Sequence, residues 1–129
     1  MSIFFSILFL MSFGNTSEVP FTQSKKNTLR AKISTTLEGN TLHITAMATN
    51  TTANNQNIVY VLLVEKNKNK GGNRSNNSQR GSAMIESYKT KKLSTTVINT
   101  TSKDIINISL RIYGKGSELL SEDTVTIPQ

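Results

Sequence analysis

Residues 58–81 read IVYVLLVEKNKNKGGNRSNNSQRG, and this stretch decides the fold. Its first half, Ile58 to Lys66, is mostly aliphatic or β-branched, with Tyr60 as its one aromatic residue. A short run that is apolar on both alternating faces is typical of a central β-strand. The second half changes to Lys, Asn, Gly, Arg and Ser, which bury little apolar surface. The stretch therefore predicts a central strand that carries a long, basic hairpin with a solvated connection.

Alternation of apolar and polar residues continues on both sides of this stretch. Leu29, Ala31 and Ile33 alternate with polar or charged neighbours, and the same period of two recurs in later segments. We predict seven strands, at residues 29–34, 42–49, 58–66, 82–88 (an edge strand), 93–98, 106–113 and 118–127. Turn or loop sequences separate them at 38–40, 50–57, the basic segment 89–92, 99–104 and the glycine pair region 114–116.

Seven short strands with frequent turn signals and no helical period predict an all-β fold. We expect a seven-stranded antiparallel immunoglobulin-like β-sandwich. The pattern by itself does not separate that topology from other sandwiches or from a small barrel. The chain has 129 residues, which is enough for one hydrophobic core and too few for two.

The chain begins with an apolar run, IFFSILFLMSF at residues 3–13. A membrane-spanning helix takes roughly 20 apolar residues, so this run has instead the length of a signal-peptide core. The small residues Ser12 and Gly14 predict cleavage after Gly14, with Ser17 as the later alternative. We expect a signal peptide at 1–14, a leader at 15–28 and one β-sandwich domain at 29–129, with a periplasmic mature protein that does not insert stably into a membrane. The competing interpretation is a buried N-terminal strand.

The residue inventory argues against an enzyme. The chain has no Cys, so we expect neither a thiolate nucleophile nor a Cys-ligated zinc. It has one His, His43, and we expect no Ser-His-Asp triad. Glu118, Glu122 and Asp123 lie close in sequence, but their spacing lacks the ordered oxygen ligands of a calcium loop, and a solvated acidic edge is the better interpretation. We predict no catalytic residue, no metal and no cofactor.

The residues of the opening stretch also carry a resemblance to a known family. Tyr60, Leu62, Val64 and Lys66, followed by Gly71-Gly72 and by Ser75, Gln79 and Gly81, resemble the Y-x-L-x-V-x-K and S-x-x-x-Q-x-G signature of the CsgC/CsgH family of periplasmic curli chaperones. The resemblance implies an immunoglobulin-like domain that inhibits premature amyloid assembly of curli-like subunits by transient binding. Some CsgC members carry a Cys-x-Cys motif, which this chain lacks, so the CsgH-like branch fits better.

Charge suggests where such a client would bind. Fifteen Lys and Arg against eight Asp and Glu give a net charge of +7, which favours anionic partners. Basic residues concentrate between residues 66 and 92, where few aromatic side chains are available to stack bases, so we predict a protein client and no nucleic acid. The candidate client-binding residues are Lys66, Lys68, Lys70, Arg74, Ser75, Gln79, Arg80 and Gly81, with the apolar stripe Val59, Val61 and Leu63 as a second candidate surface. The protein is expected to be a monomer.

Two further interpretations remain at this point. The basic residues are equally typical of a solvated hairpin that keeps a sheet edge soluble. The second function, from another class, is a secreted adhesion or matrix-binding β-sandwich domain that recognises anionic glycans or surfaces.

Overall fold

The computed structural model describes residues 28–68 and 74–128. In these ranges the chain forms seven strands and no helix: β1 (Leu29–Glu38), β2 (Thr41–Asn50), β3 (Gln56–Lys68), β4 (Arg74–Ile85), β5 (Thr90–Asn99), β6 (Asp104–Tyr113) and β7 (Leu119–Ile127). They pair antiparallel in two sheets, one with the order β1-β2-β5 and one with the order β4-β3-β6-β7. The predicted all-β, seven-stranded antiparallel sandwich is confirmed.

The core lies between the two sheets and follows the alternation of the sequence. Every second residue of β2 and β6 is buried, and these residues share the core with apolar residues of the other strands. The apolar core residues of β2 and β6 are Leu42, Ile44, Ala46, Ala48, Ile106, Ile108, Leu110 and Ile112. In a strand, residues two apart point to the same face, so one face of each sheet packs inward. Burial of each leucine or isoleucine side chain contributes about 1.5–3 kcal/mol.

The apolar strand β3 occupies the predicted central position. It pairs with β4 on one side and with β6 on the other, along nearly its whole length. Ile58, Leu62 and Val64 are buried and Tyr60 faces the same way, while Val59, Val61 and Leu63 face the outside of the sheet and are half-buried. Strands β2 and β6 are also central but carry mostly polar outward residues, so the central position alone does not explain the apolar outward residues of β3.

The predicted solvated connection after β3 is wrong for its second part. Residues 74–81 belong to β4 and pair with β3 from Arg74, opposite Asn67, to Gly81, opposite Tyr60. The sequence RSNNSQRG is polar because β4 is an edge strand with mostly exposed side chains. Main-chain pairing needs no apolar side chain. The polar composition of residues 74–81 therefore indicated that their side chains are exposed, but it did not indicate their backbone conformation. The edge position predicted for this strand is confirmed.

Smaller corrections concern the loops. The basic segment 89–92 is not a loop, because Thr90 to Lys92 pair with β2 as the first residues of β5. Gly39 adopts a positive φ of 61°, as its turn sequence predicts. In the β6–β7 turn the positive φ of 67° falls on Ser117 and not on the two preceding glycines.

Some predictions lie outside the described residues. They are the signal peptide at 1–14, the leader up to residue 27, Lys70 and the glycine pair Gly71-Gly72. The immunoglobulin-like topology also stays a prediction in its details. Here β4 pairs with β3, whereas in a constant-type immunoglobulin domain the fourth strand joins the sheet of the first, second and fifth.

Candidate functional site

The signature residues lie on two paired strands and face the same way. Tyr60, Leu62, Val64 and Lys66 alternate along β3, and Leu62 and Val64 are buried in the core. On β4 the register places Gly81 opposite Tyr60, Gln79 opposite Leu62 and Ser75 opposite Lys66. Directly paired residues share one face of a sheet. The two halves of the signature therefore meet on the inward side, with Ser75 at the exposed end of the row.

Gly81 makes room for the ring of Tyr60. A Cβ atom on Gly81 would lie 2.6 Å from the Tyr60 hydroxyl oxygen and 2.8 Å from Cζ, closer than side chains tolerate. The Tyr60 hydroxyl donates a hydrogen bond of 3.0 Å to the Leu93 carbonyl of β5. The glycine thus allows a tyrosine of one sheet to reach the backbone of the other sheet.

Gln79 makes a second link between the sheets. Its Nε2 donates to Thr96 Oγ1 at 2.6 Å, and Ser94 Oγ donates to its Oε1. Thr96 is buried, and Gln79 and Ser94 are half-buried, so these bonds are partly shielded from water. Gln79 and Gly81 therefore take part in closing the β4–β5 flank of the sandwich, and their part in client binding stays a prediction.

The opposite flank, between β1 and β7, is closed in the same manner. Ser121 Oγ accepts a hydrogen bond of 2.9 Å from the Ala31 amide, and Asp123 Oδ2 accepts one of 2.8 Å from the Ile33 amide. These amides lie on the free edge of β1, where unpaired groups invite another strand. Sequence reasoning missed these two hydrogen bonds. The available signal was that Ser121 and Asp123 are polar residues at alternate positions of β7, opposite the buried Ile112 and Leu110.

The stripe of Val59, Val61 and Leu63 lies on the outward face of the four-stranded sheet. All three side chains are half-buried. Val61 lies between Arg80 of β4 and Arg111 of β6 in the register. The four-stranded sheet thus presents an apolar stripe bordered by two arginines. We call this surface the outward stripe.

The two arginines beside the outward stripe differ in their partners. Arg111 Nε forms a 2.8 Å ion pair with Glu122 Oε2, and the hydrogen bonds to Glu122 and Tyr113 raise the pKa of its guanidinium. Arg80 is exposed and belongs to neither of the ion pairs found in residues 28–68 and 74–128, which are Arg111–Glu122 and His43–Glu38. Arg80 therefore remains available to an anionic group.

The basic residues between positions 66 and 92 do not form one continuous patch. Lys66, Lys68 and Arg74 lie at the end of the sandwich reached by the β3–β4 hairpin, where Lys66 Nζ donates to the Asn99 carbonyl at 3.0 Å. Lys89, Lys91 and Lys92 belong to the opposite end, near the start of β5. Strand direction separates them, because β4 carries the chain from one end of the sandwich to the other.

A basic surface that sequence reasoning missed lies on the outside of the three-stranded sheet. Lys32 of β1, Met47 of β2 and Lys92 of β5 form one row across the sheet, and Arg30 lies in the next row, opposite Thr49. Arg30, Lys32 and Lys92 are all exposed. These residues come from distant parts of the chain, so only the sheet register brings them together.

Two of the acidic residues of β7 have structural partners. Glu122 pairs with Arg111 and Asp123 accepts from the Ile33 amide. His43 lies 3.1 Å from Glu38 on an exposed face. In the described ranges no three His, Cys, Asp or Glu side chains are grouped as metal ligands would be. The same ranges contain no helix that is long and apolar enough to cross a membrane.

Comparison with solved structures places the fold. The curli protein CsgC of E. coli superimposes with a TM-score of 0.59 at 16% identity, over 78% of this chain and 99% of CsgC. CsgH of R. palustris gives a TM-score of 0.55 at 16% identity, over 73% of this chain and 89% of CsgH. The Bacteroides uniformis β-glucuronidase 2 matches 77% of this chain with a TM-score of 0.52 at 11% identity, but over only 14% of its own length. The sequence matches no protein-family model and no curated protein. The resemblance to CsgC and CsgH is thus confirmed in the fold.

Proposed function

We propose that this chain is a non-enzymatic chaperone of the CsgC/CsgH type, which acts in the periplasm and holds back premature amyloid assembly by curli-like fibre subunits. The observation that supports this most strongly is the likeness of fold to CsgC over nearly the whole of that chain. The signature residues add to it, because their two halves pair across β3 and β4. The proposal includes export through the signal peptide at 1–14 and a monomeric mature protein.

The closed flanks of the sandwich support a chaperone that is not itself a template. Amyloid subunits extend a fibre by pairing new strands with exposed edges. In this chain the edge amides of Ala31 and Ile33 are already bonded to side chains of β7, and Gln79 links β4 to β5. At the β1 edge the molecule therefore offers few free amides for continued strand addition, and a client would contact that edge through side chains.

Two surfaces are candidates for contact with the client. The first is the basic hairpin, in which Lys68, Arg74 and Arg80 are exposed. The second is the outward stripe, where Val59, Val61 and Leu63 form an apolar row on the sheet. Gln79 and Gly81 face inward, so their part in client binding would be to hold β4 in place.

A fibrillation assay tests the proposal. A curli-like subunit is mixed with substoichiometric amounts of the mature protein, and amyloid-dye fluorescence is followed over time. We expect a lengthened lag phase. A lag phase that does not change at any ratio up to equimolar would contradict the proposal.

Three variants locate the contact surface. Lys68→Glu with Arg74→Glu and Arg80→Glu reverses the charge of the hairpin. Arg30→Glu with Lys32→Glu and Lys92→Glu makes the same change of net charge on the outside of the three-stranded sheet, and it serves as the matched control. Val61→Lys with Leu63→Lys alters the outward stripe and leaves Lys68, Arg74 and Arg80 unchanged. The residues of the two charge-reversal variants are exposed and tolerate such changes. Val61 and Leu63 are half-buried, so circular dichroism must show that this variant is folded before its inhibition is compared.

Each outcome of this comparison has a distinct meaning. Loss of inhibition only in the hairpin variant assigns contact to the basic hairpin, and added salt should then weaken inhibition by the wild type, because the Debye length falls from about 10 Å at 0.1 M to about 3 Å at 1 M. Loss only in the Val61 and Leu63 variant assigns contact to the outward stripe. Equal loss in the hairpin variant and its matched control would show that net charge acts without a specific surface.

The second candidate function is an adhesion or matrix-binding domain that recognises anionic glycans. The row of Lys32, Met47 and Lys92 with neighbouring Arg30 favours it, since three exposed cations meet there on one flat sheet face. Binding to a sulfated glycan that the Arg30, Lys32 and Lys92 reversal abolishes, together with no effect on fibrillation, would select this function. Genes for curli subunits beside the gene of this chain would favour the first.

A further inference from the structure

One stretch of the β4–β5 flank is not closed. Strand β4 is joined to the other sheet at Gln79, which bonds to β5, and at its end, where Asn50 Nδ2 donates to the Ile85 carbonyl at 3.0 Å. Among the described residues, no hydrogen bond joins residues 74–78 to that sheet. All of residues 74–78 are exposed, and within the described ranges no strand pairs with their outer side. We call residues 74–78 the open edge.

A groove of about 220 Å³ lies beside the open edge, between the two sheets. It is lined by Val64, Lys66, Ser75, Asn76, Asn77 and Ile98. Ser75 and Asn77 pair with inward residues of β3 and so lie on the groove side of β4, and the half-buried Ile98 of β5 faces them across the groove. Side chains of a strand alternate between its two faces, so a strand added to the open edge would direct every second side chain into this groove.

The strands around the open edge are basic. Together β3 and β4 carry the cations Lys66, Lys68, Arg74 and Arg80 and one acid, Glu65. Neither Arg74 nor Arg80 belongs to an ion pair in the described ranges. Like charges oppose the pairing of two copies of this chain at the open edge, whereas an acidic strand is attracted to it. The charge therefore selects the kind of strand that can be added.

We propose that the open edge pairs with an acidic, extended segment of the client, which becomes an additional strand of the four-stranded sheet. The inference rests on the proposed function for the identity of this partner. Main-chain hydrogen bonds supply the affinity, as in other strand additions to a free sheet edge. Acidic side chains on the outward face meet Arg74 and Arg80, and apolar side chains on the other face cover Ile98. A client strand held in this way has one of its own edges covered, so a fibre cannot extend from that edge.

Three short peptides test the site on the mature protein. The acidic probe is acetyl-Thr-Val-Glu-Val-Glu-Val-Thr-amide, which is titrated into ¹⁵N-labelled protein at constant ionic strength and followed by NMR. A second peptide has lysine in place of both glutamates, and a third is the acidic probe N-methylated on two adjacent central residues, which blocks main-chain pairing on both of its edges. We expect saturable shifts and slowed amide exchange at residues 74–78 with the acidic probe. Binding of the other two peptides should be at least about tenfold weaker, since each loses either the charge attraction or the main-chain pairing.

Variants of the open edge complete the test. Asn76→Pro and Asn77→Pro each remove one amide, and the amides of adjacent residues point to opposite edges of a strand, so only one of the two is needed for pairing with β3. The variant that keeps the urea midpoint of the wild type has lost the outward amide, and it should bind the acidic probe at least about tenfold more weakly. Alanine at the same position keeps the amide and is the matched control, which should bind as the wild type does. Arg74→Glu with Arg80→Glu, at two exposed positions, should reverse the preference to the lysine peptide.

Several results would overturn the proposal. They are equal binding of the N-methylated peptide, unchanged binding in the folded proline variant, no binding of the acidic probe, or shifts confined to the outward stripe. A proline variant that has lost peptide binding but still lengthens the lag phase of fibrillation as the wild type does would overturn client pairing at the open edge and leave the proposed function standing. A wild type that binds the acidic probe at the open edge without any effect on fibrillation would contradict the proposed function and support the edge as a peptide site.

Discussion

Replacement of Gly81 by alanine should destabilise the protein through a clash with a single side chain. The added Cβ would lie 2.6 Å from the Tyr60 hydroxyl oxygen, 2.8 Å from Cζ and 3.0 Å from Cε2. The ring must therefore move, although its hydroxyl is held by the Leu93 carbonyl at 3.0 Å. Overpacking of this kind costs about 1–3 kcal/mol, and loss of the hydrogen bond adds about 0.5–1.5 kcal/mol. We expect a loss of about 2–4 kcal/mol in the free energy of unfolding.

The same substitution should behave differently once Tyr60 is shortened. Tyr60→Leu removes all three atoms that the new Cβ would meet. Glycine within a strand is less favourable than alanine by about 0.5–1 kcal/mol, so in this background Gly81→Ala should be neutral or slightly stabilising. The sign of the effect therefore depends on one side chain, and the coupling between the two positions should exceed about 2 kcal/mol.

Urea denaturation followed by far-UV circular dichroism measures all four proteins of this cycle. Gly39→Ala provides the matched control, since Gly39 has a positive φ of 61° and open space around its Cβ position. Its cost of about 1–2 kcal/mol comes from the backbone and should be the same with either residue at position 60. A loss below about 0.5 kcal/mol for Gly81→Ala, or equal losses in both backgrounds, would refute the role of Gly81 in accommodating the Tyr60 ring.

Three further predictions follow from the core, the buried carboxylate and the N-terminus. Leu62→Ala and Ile108→Ala should each cost about 2–5 kcal/mol in urea denaturation, because both side chains are almost completely buried, and losses below about 0.5 kcal/mol would show that other residues form the core. Asp104 has a lowered pKa in the folded protein, so its contribution to stability should be present above about pH 4 and be lost as the pH falls further. If the free energy of unfolding of Asp104→Asn falls with acid as steeply as that of the wild type, this prediction is contradicted. Mass spectrometry of periplasmic protein should show a start near Asn15 or Glu18, whereas an intact Met1 in soluble cytosolic protein would refute export.

The sequence by itself determined the strands and the two faces of the best ones. Alternation in β2 and β6 reports which side chains avoid water, and all the predicted inward residues of these strands are buried. The central position of β3 was also predicted, because a short run that is apolar on both faces is typical of a central strand. These features depend on which single residues are buried, and the hydrophobicity of each side chain indicates that directly.

Tertiary structure alone decided how β4 is used. The composition of residues 74–81 is that of a loop, yet they pair with β3 through main-chain groups that every residue has. The same pairing lets Gln79 link the two sheets and places Gly81 against the ring of Tyr60. The chemistry of a strand's side chains does not determine which other strand its backbone pairs with. The periodicity of the sequence therefore could not have predicted the pairing of β4 with β3.

Long-range juxtaposition also lay beyond the sequence. The bonds from the β1 amides to Ser121 and Asp123 join residues ninety positions apart. A cavity beside Asp104 likewise brings together two turns and the end of β7. Such contacts depend on strand order, register and the packing of two sheets, and several strand orders satisfy the same alternating pattern. The chain's pattern specifies which side chains leave water, and only the packed sandwich specifies which of them meet.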